Sequence, residues 1–207
     1  MGDVNLPVIL FAAFLAAGSP GPATLAIAGT SMSSGRHSGL ALASGVTTGS
    51  FIWSFAAAFG LGAVMAANAW VFEVVRYAGG AYLLWLAFKA ARSAWAGNRA
   101  TAKPLPPTTP RRAYAKGLAL HLTNPKAVIF FGALYAIGVP PGTPASGLLT
   151  VILAVGLQSL IMFHGYALIF SSTPMAAAYA RAKRGFETFF ALAFGAIAYQ
   201  VFSTRVG

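Results

Sequence analysis

The sequence predicts an all-α integral membrane protein of six transmembrane helices, arranged as two inverted three-helix repeats, with helices 1 and 4 broken by proline. Three observations predict it. Of 207 residues, 57% are hydrophobic and 8% charged, and the mean hydropathy is +0.71. A soluble domain carries about a quarter charged residues, so this inventory cannot cover a water-facing surface. The apolar runs lack the alternation of a barrel strand, and a helix is the other spanning structure that satisfies its own backbone in hydrocarbon. Finally, proline interrupts the first apolar span after the N-terminus and the first apolar span after a proline-rich linker.

A span needs about twenty apolar residues. Charge clusters and Gly/Pro breaks delimit six, over about 6–30, 39–64, 70–91, 117–137, 146–170 and 186–203. Residues 1–8 hold only an acid, Asp3, and lack the basic start of a signal peptide, so the first run reads as a span. The net charge of +11 comes from 14 Lys and Arg against 3 acids. Eleven of these 14 lie in alternate loops, namely Arg36; Lys89, Arg92, Arg99, Lys103, Arg111, Arg112 and Lys116; and Arg181, Lys183 and Arg184. Such placement reads as topology rather than as a nucleic-acid surface. The positive side is cytoplasmic, which puts both termini outside. With no cysteine, disulfides, thiolate metal sites, iron–sulfur centres and cysteine nucleophiles are excluded.

The chain reads as one transmembrane domain over 1–207, with repeat one at 1–96, a cytoplasmic linker at 97–112 and repeat two at 113–207. Three spans per repeat insert the second copy upside down. Pro20 and Pro22 answer to Pro125, Ser38-Gly39-Leu40 to Ser146-Gly147-Leu148, and Gly80-Ala81 to Gly195-Ala196. At 1.5 Å per residue, Pro22 lies roughly 16 to 20 Å from the cytoplasmic edge and Pro125 roughly 14 Å, both near the middle of a core about 30 Å thick. Broken helices meeting at the midplane of inverted repeats form substrate sites in transporters. The competing reading is that each proline merely kinks a packed helix.

Proline lacks an N–H and clashes with the carbonyl four residues back, so Pro20, Pro22 and Pro125 free the carbonyls of Ala16, Gly18 and His121. Each freed carbonyl needs a neighbour, a water or a ligand. An unwound Gly18 to Pro22 segment, including Gly21, could hold the amino or carboxylate group of a small zwitterion. Lys126 follows Pro125 near mid-membrane, where a charge costs at least about 2.5 to 3.5 kcal/mol and should face the protein interior or a cavity. It reads as an anchor for a substrate carboxylate or as a proton-exchanging group; the alternative is that it snorkels to the interface. His121 and His164 could relay protons or serve as interhelical hydrogen-bond partners. Thr47, Thr48 and Gln158 lie near the midplane, with helix–helix bonding as the default and substrate contact as the alternative. Gly45 and Gly49 form a close-packing pattern. Glu73 and Arg76 are placed to pair three apart.

No carboxylate falls in the central core, and there is no phosphate-binding loop, nucleophile–base–acid set or haem pair. An enzyme, a metal site and a cofactor are therefore not expected. The rival classes are a passive channel for small polar solutes, an intramembrane enzyme built on His121, His164 and Lys126, and a structural subunit.

The chain resembles bacterial amino-acid exporters of the LysE/RhtB type. The resemblance rests on Ser19-Pro20-Gly21-Pro22, on Gly35-Arg36-His37-Ser38-Gly39-Leu40 with Gly45 and Gly49 beyond, on the run from Tyr77 to Leu86, and on Lys116-Gly117 followed by Asn124-Pro125-Lys126-Ala127. It implies export of amino acids or close derivatives driven by the proton gradient, often as a homodimer. Family members often carry Asn or Asp after Pro-Gly-Pro, whereas here Ala23 and Thr24 follow, and Ala87 stands where glycine commonly closes the third-span motif. The expectation is therefore a neutral or zwitterionic substrate at Gly18, Pro20, Gly21, Pro22, Thr24, Asn124, Pro125, Lys126 and Gln158, with Lys126, His121 and His164 in proton coupling.

Overall fold

The structure is a computed structural model, and it describes residues 4–19, 21–61, 69–96, 105–140 and 142–203. Pro20 and the side chain of Arg76 lie outside the described part, and with them the Glu73–Arg76 pairing. All regular structure among the described residues is helical: α1 (Leu6–Gly18), α2 (Pro22–Phe55) running into a π-helical turn (Ala56–Leu61), α3 (Ala69–Ala96), α4 (Pro110–Leu122), α5 (Pro125–Gly138), α6 (Ala145–Phe170) and α7 (Thr173–Ser203).

The first break is a chain-level necessity. Ser19 precedes a proline, which disfavours the helical region, and it is extended with ψ 135°. Gly21 is also extended, and Pro22 opens α2 at a position where its missing N–H costs nothing. The second break follows the same logic. Thr123 leaves the helical region, and Asn124 caps α5 by accepting the Lys126 N–H through Oδ1 at 3.0 Å, with Pro125 opening the helix.

A third discontinuity lies inside α2, where Gly35 has φ 75° and ψ −179°, a conformation open in practice to glycine alone. Eight residues of straight helix would separate Ser31 and Gly39 by about 12 Å. Instead a Cβ on Gly39 would collide with the Ser31 side chain, so the chain folds back at Gly35. Residues 22–34 and 36–55 are thus two arms of a tight helical hairpin.

Several expected boundaries move. The helix expected as the second span starts directly after Gly35 rather than at 39 and is described to Leu61. The fourth starts at Pro110, with Thr109 Oγ1 accepting the Arg112 N–H, so Arg111 and Arg112 belong to a helix and not to the linker. The sixth starts at Thr173 rather than 186, and Arg181, Lys183 and Arg184 ride on it. In both places the helix continues beyond the apolar segment, which hydropathy alone does not register.

The arm 36–55 packs against α4, α6 against both α1 and α2, and α3 against α5 and α7. Close approach of α2 and α4 depends on Gly45 and Gly117, where an added Cβ would collide with the carbonyl oxygens of Tyr114 and Leu42 respectively. Two apolar clusters result. One gathers Ile9, Leu15, Phe130, Ile152 and Phe194; the other gathers Ile27, Leu42, Val46, Phe163 and Tyr166. The break between α1 and α2 falls between them.

Ala145–Phe170 and Thr173–Ser203 are each long and apolar enough to cross a membrane, as is Pro22–Gly60 by length and composition when counted through its reversal at Gly35, while α1 and α5 are apolar but shorter. Large side chains such as Leu192, Leu153 and Phe88 lie exposed on the outside of the bundle, as suits a surface solvated by hydrocarbon.

Candidate functional site

Each of the three carbonyls that the prolines release has a protein donor. The Ala16 carbonyl accepts from Lys126 Nζ at 3.1 Å and from Ser19 Oγ at 3.2 Å. The Gly18 carbonyl accepts the Tyr166 hydroxyl at 2.8 Å. The His121 carbonyl accepts the Trp53 indole N–H at 3.3 Å and the Asn124 N–H at 3.3 Å. Unwound backbone is tolerated at membrane depth only when paired or facing a cavity, and these donors pair it.

Lys126 connects the two breaks. It stands in the first turn of α5, yet its ammonium also donates to the Ser19 carbonyl at 3.4 Å and, in a short contact, to Ser19 Oγ. Its charge thus sits on the C-terminal end of α1, where the helix dipole favours a cation. Tyr82 of α3 donates to the Lys126 carbonyl at 3.3 Å and fixes the backbone that carries it.

Beside this bridge lies a cavity of about 50 Å³, walled by Ala13, Ala16, Ala17, Gly21 and Ala127 and bearing the polar groups of Ser19, Thr24, Ser50, His121, Asn124, Lys126 and Ser159. Four helix ends converge on it: the last turns of α1 and α4 and the first turns of α2 and α5. The volume suits a few waters, not an amino acid. A larger groove of about 660 Å³ runs between α1, α6 and α7. Its lining is almost wholly apolar, which makes it a poor place for a zwitterion.

Of the residues the sequence singled out, Gly21, Thr24, Asn124, Lys126 and His121 line the cavity. Gly18 serves through its carbonyl, and Pro22 and Pro125 serve by opening their helices. Gln158 lies apart from the lining and donates to the Leu10 carbonyl at 2.9 Å, tying α6 to α1. Its Oε1 is buried without a partner among the described residues. His164 also lies outside the lining; its Nε2 meets Ser44 Oγ at 3.0 Å and its Nδ1 meets the Leu160 carbonyl at 2.9 Å. His121 is buried, with Nε2 at 3.1 Å from Ser50 Oγ and Nδ1 without a partner among the described residues. Thr48 accepts the Tyr114 hydroxyl across helices at 3.2 Å, while Thr47 has no side-chain partner among the described residues.

Ser19, Ser50, Trp53, Tyr82 and Tyr166 belong to the site's framework and are the residues that reasoning from spacing passes over. The freed carbonyls signalled that donors were needed. Nothing local in the sequence selects Tyr166, 148 residues from its acceptor.

The sequence profile of the LysE type translocator family matches residues 14–205. The chain belongs to that family. Its members are translocators rather than enzymes, and the paired breaks lie wholly inside the matched region. The chain is 28% identical over 173 residues to a protein of Salmonella typhi named threonine efflux protein, covering 83% of this chain and 84% of the relative. A protein of the same name in Escherichia coli K12 is 27% identical over 174 residues, with the same coverage of 83% and 84%. An uncharacterised membrane protein of Pseudomonas aeruginosa is 33% identical over 168 residues, covering 80% of this chain and 78% of the relative. No solved structure matches the chain.

Proposed function

We propose that this translocator exports a small neutral amino acid, in zwitterionic form, from the cytoplasm by proton-driven alternating access around the cavity at the two breaks. The observation that carries the reading is the convergence of four helix ends on one cavity bridged by Lys126. A helix C-terminus attracts a cation and helix N-termini attract an anion. The end of α1 therefore suits a substrate ammonium, while the starts of α2 and α5 together with Lys126 suit its carboxylate. Thr24, buried in the first turn of α2, adds a hydroxyl to the lining of the same cavity. Relatives named for threonine efflux agree with a small neutral substrate.

The same reading takes α1 with residues 22–34 as span one, residues 36–61 as span two, α3 as span three, α4 with α5 as span four, and α6 and α7 as spans five and six. It rests on the packing: the arm 36–55 lies on α4 as α6 lies on α1, and α3 lies on α7. Each repeat then contributes one broken helix to the site, in an inner membrane with both termini outside. Proton movement falls to Lys126 at the site and to His121 and His164 on its cytoplasmic side.

Counterflow in proteoliposomes loaded with a panel of labelled amino acids, with and without an imposed pH gradient, tests this. Saturable, gradient-stimulated threonine uptake, reduced at least about tenfold by Lys126→Met, is expected, tenfold being the effect of about 1.4 kcal/mol at the site. Flux that does not saturate and ignores the gradient would establish a channel. Movement of lysine or arginine with no neutral amino acid would overturn the substrate class.

A further inference from the structure

We infer that Lys126 is a tethered stand-in for the substrate's own amino group, occupying the oxygen cage that the substrate ammonium takes and leaving it only when a carboxylate draws it away. The inference rests on the zwitterion site proposed above and deepens it by naming what each end of the substrate must do.

The cage is formed by the Ala16 carbonyl, the Ser19 carbonyl and Ser19 Oγ, all at the end of α1. Three oxygens around one nitrogen match the three donors of an ammonium group. Among the described residues no carboxylate bonds the ammonium: Glu73 is exposed on α3, and Glu187 is engaged by Ser93 Oγ at 2.6 Å and Lys183 at 3.6 Å. The cage is therefore built for a cation that brings its own counter-charge or lies on a helix C-terminus, and Lys126 meets the second condition.

The side chain enters from the opposite break and closes the cavity. A Cβ on Gly21 would lie only 3.4 Å from Lys126 Nζ and 3.7 Å from its Cδ, so the aliphatic stem runs along the unwound segment. The rest of the wall joins alanine and glycine to Val155 and the rings of Phe130, Phe131 and Phe163, and withdrawal of the stem opens room that the present cavity of about 50 Å³ lacks.

The consequence is an obligatory zwitterion. An amine without a carboxylate has to displace an ammonium that then remains, unpaired, beside it. A carboxylate alone draws Lys126 off and leaves the cage without a cation. Only a molecule carrying both groups at amino-acid spacing exchanges one ammonium for another and pairs the displaced lysine. Since Lys126 links the first turn of α5 to the last turn of α1, the same exchange unties the two broken helices from each other.

Two fragments of threonine test this on the unaltered protein. Binding of 1-amino-2-propanol, which is threonine without its carboxylate, is measured by thermal shift in detergent at constant ionic strength, with and without acetate. Acetate is expected to raise the apparent affinity for the amine at least about fivefold, and the amine to raise that for acetate by the same factor, the low end of ordinary coupling between sites. In folded Lys126→Met the amine should bind without acetate, and acetate should add nothing. Independent binding of the two fragments to the unaltered protein, or a Lys126→Met variant that melts like the parent and binds no amine, would overturn the inference. Failure of the proposed transport shows separately, as absence of counterflow, and leaves both fragment measurements readable.

Discussion

At the scale of single residues, the decisive features are three backbone carbonyls and the side chains that meet them. Which carbonyls would be free was legible from the prolines, because the clash four residues back is fixed by the ring. Which donors meet them was not, since Lys126, Tyr166 and Trp53 arrive from 110, 148 and 68 residues away. The arrangement makes a graded prediction. Tyr166→Phe leaves the buried Gly18 carbonyl without its hydroxyl donor and should cost about 1 to 3 kcal/mol. Trp53→Phe leaves the His121 carbonyl with the Asn124 N–H still in place, so its cost should be smaller, within about 1 kcal/mol. Thermal unfolding of the two variants in the same detergent measures the order; an equal or larger loss for Trp53→Phe would mean that Gly18 finds another donor. Lys126 and Asn124 were visible as site residues because proline set the break beside them. Gln158 stood out for being polar at the midplane, and that pattern does not separate a cavity group from the α6–α1 tie the structure shows.

At the scale of elements, hydropathy marked where apolar segments lie but not where helices begin. Helical hydrogen bonding continues through Arg111, Arg112, Arg181 and Arg184 because long basic side chains reach water from an interfacial helix. The Gly35 reversal is legible only in part: the charge at Arg36 announced a turn, whereas the folding back of two arms within one residue depends on a positive φ that no spacing reveals. Contact between α2 and α4 yields a sharper test. Gly45→Ala and Gly117→Ala place a methyl against the backbone of the facing helix, which cannot yield as a side chain would, and each should cost about 1 to 3 kcal/mol. Gly132→Ala provides the control, because a Cβ there meets nothing within 4 Å and alanine is the better helix former. The yield of monodisperse protein after size exclusion should fall for the first two and hold or rise for the third. Equal yields for all three would mean that α2 and α4 are held apart by more than these glycines.

At the scale of the whole molecule, the packing shows which segments share an end, and the proposed sidedness rests on the charges at those ends. Near one end, the Asn5 N–H donates to the Gly138 carbonyl at 3.2 Å, joining the start of α1 to the end of α5. Near the other, the Thr108 N–H donates to Ser34 Oγ at 3.0 Å and Ser38 Oγ donates to the Thr108 carbonyl at 3.1 Å, joining the linker to the Gly35 turn. The segments joined at the first end carry no Lys or Arg, and those at the second are flanked by Arg36, Arg111 and Arg112. The proposed topology sets a bilayer between these ends, with the basic one in the cytoplasm. Because the chain has no cysteine, single substitutions report sidedness without background. Ser146→Cys, at the exposed start of α6, and Ser203→Cys, at the end of α7, should react with a membrane-impermeant maleimide in intact spheroplasts. His37→Cys, exposed just beyond the Gly35 turn, should react only after lysis. Reaction of His37→Cys alone in intact spheroplasts would invert the topology and turn the proposed export pathway around. Opposite behaviour of the Ser146 and Ser203 positions would require an odd number of spans between them, so that α6 and α7 would not both cross and the proposed second repeat of three spans would fall.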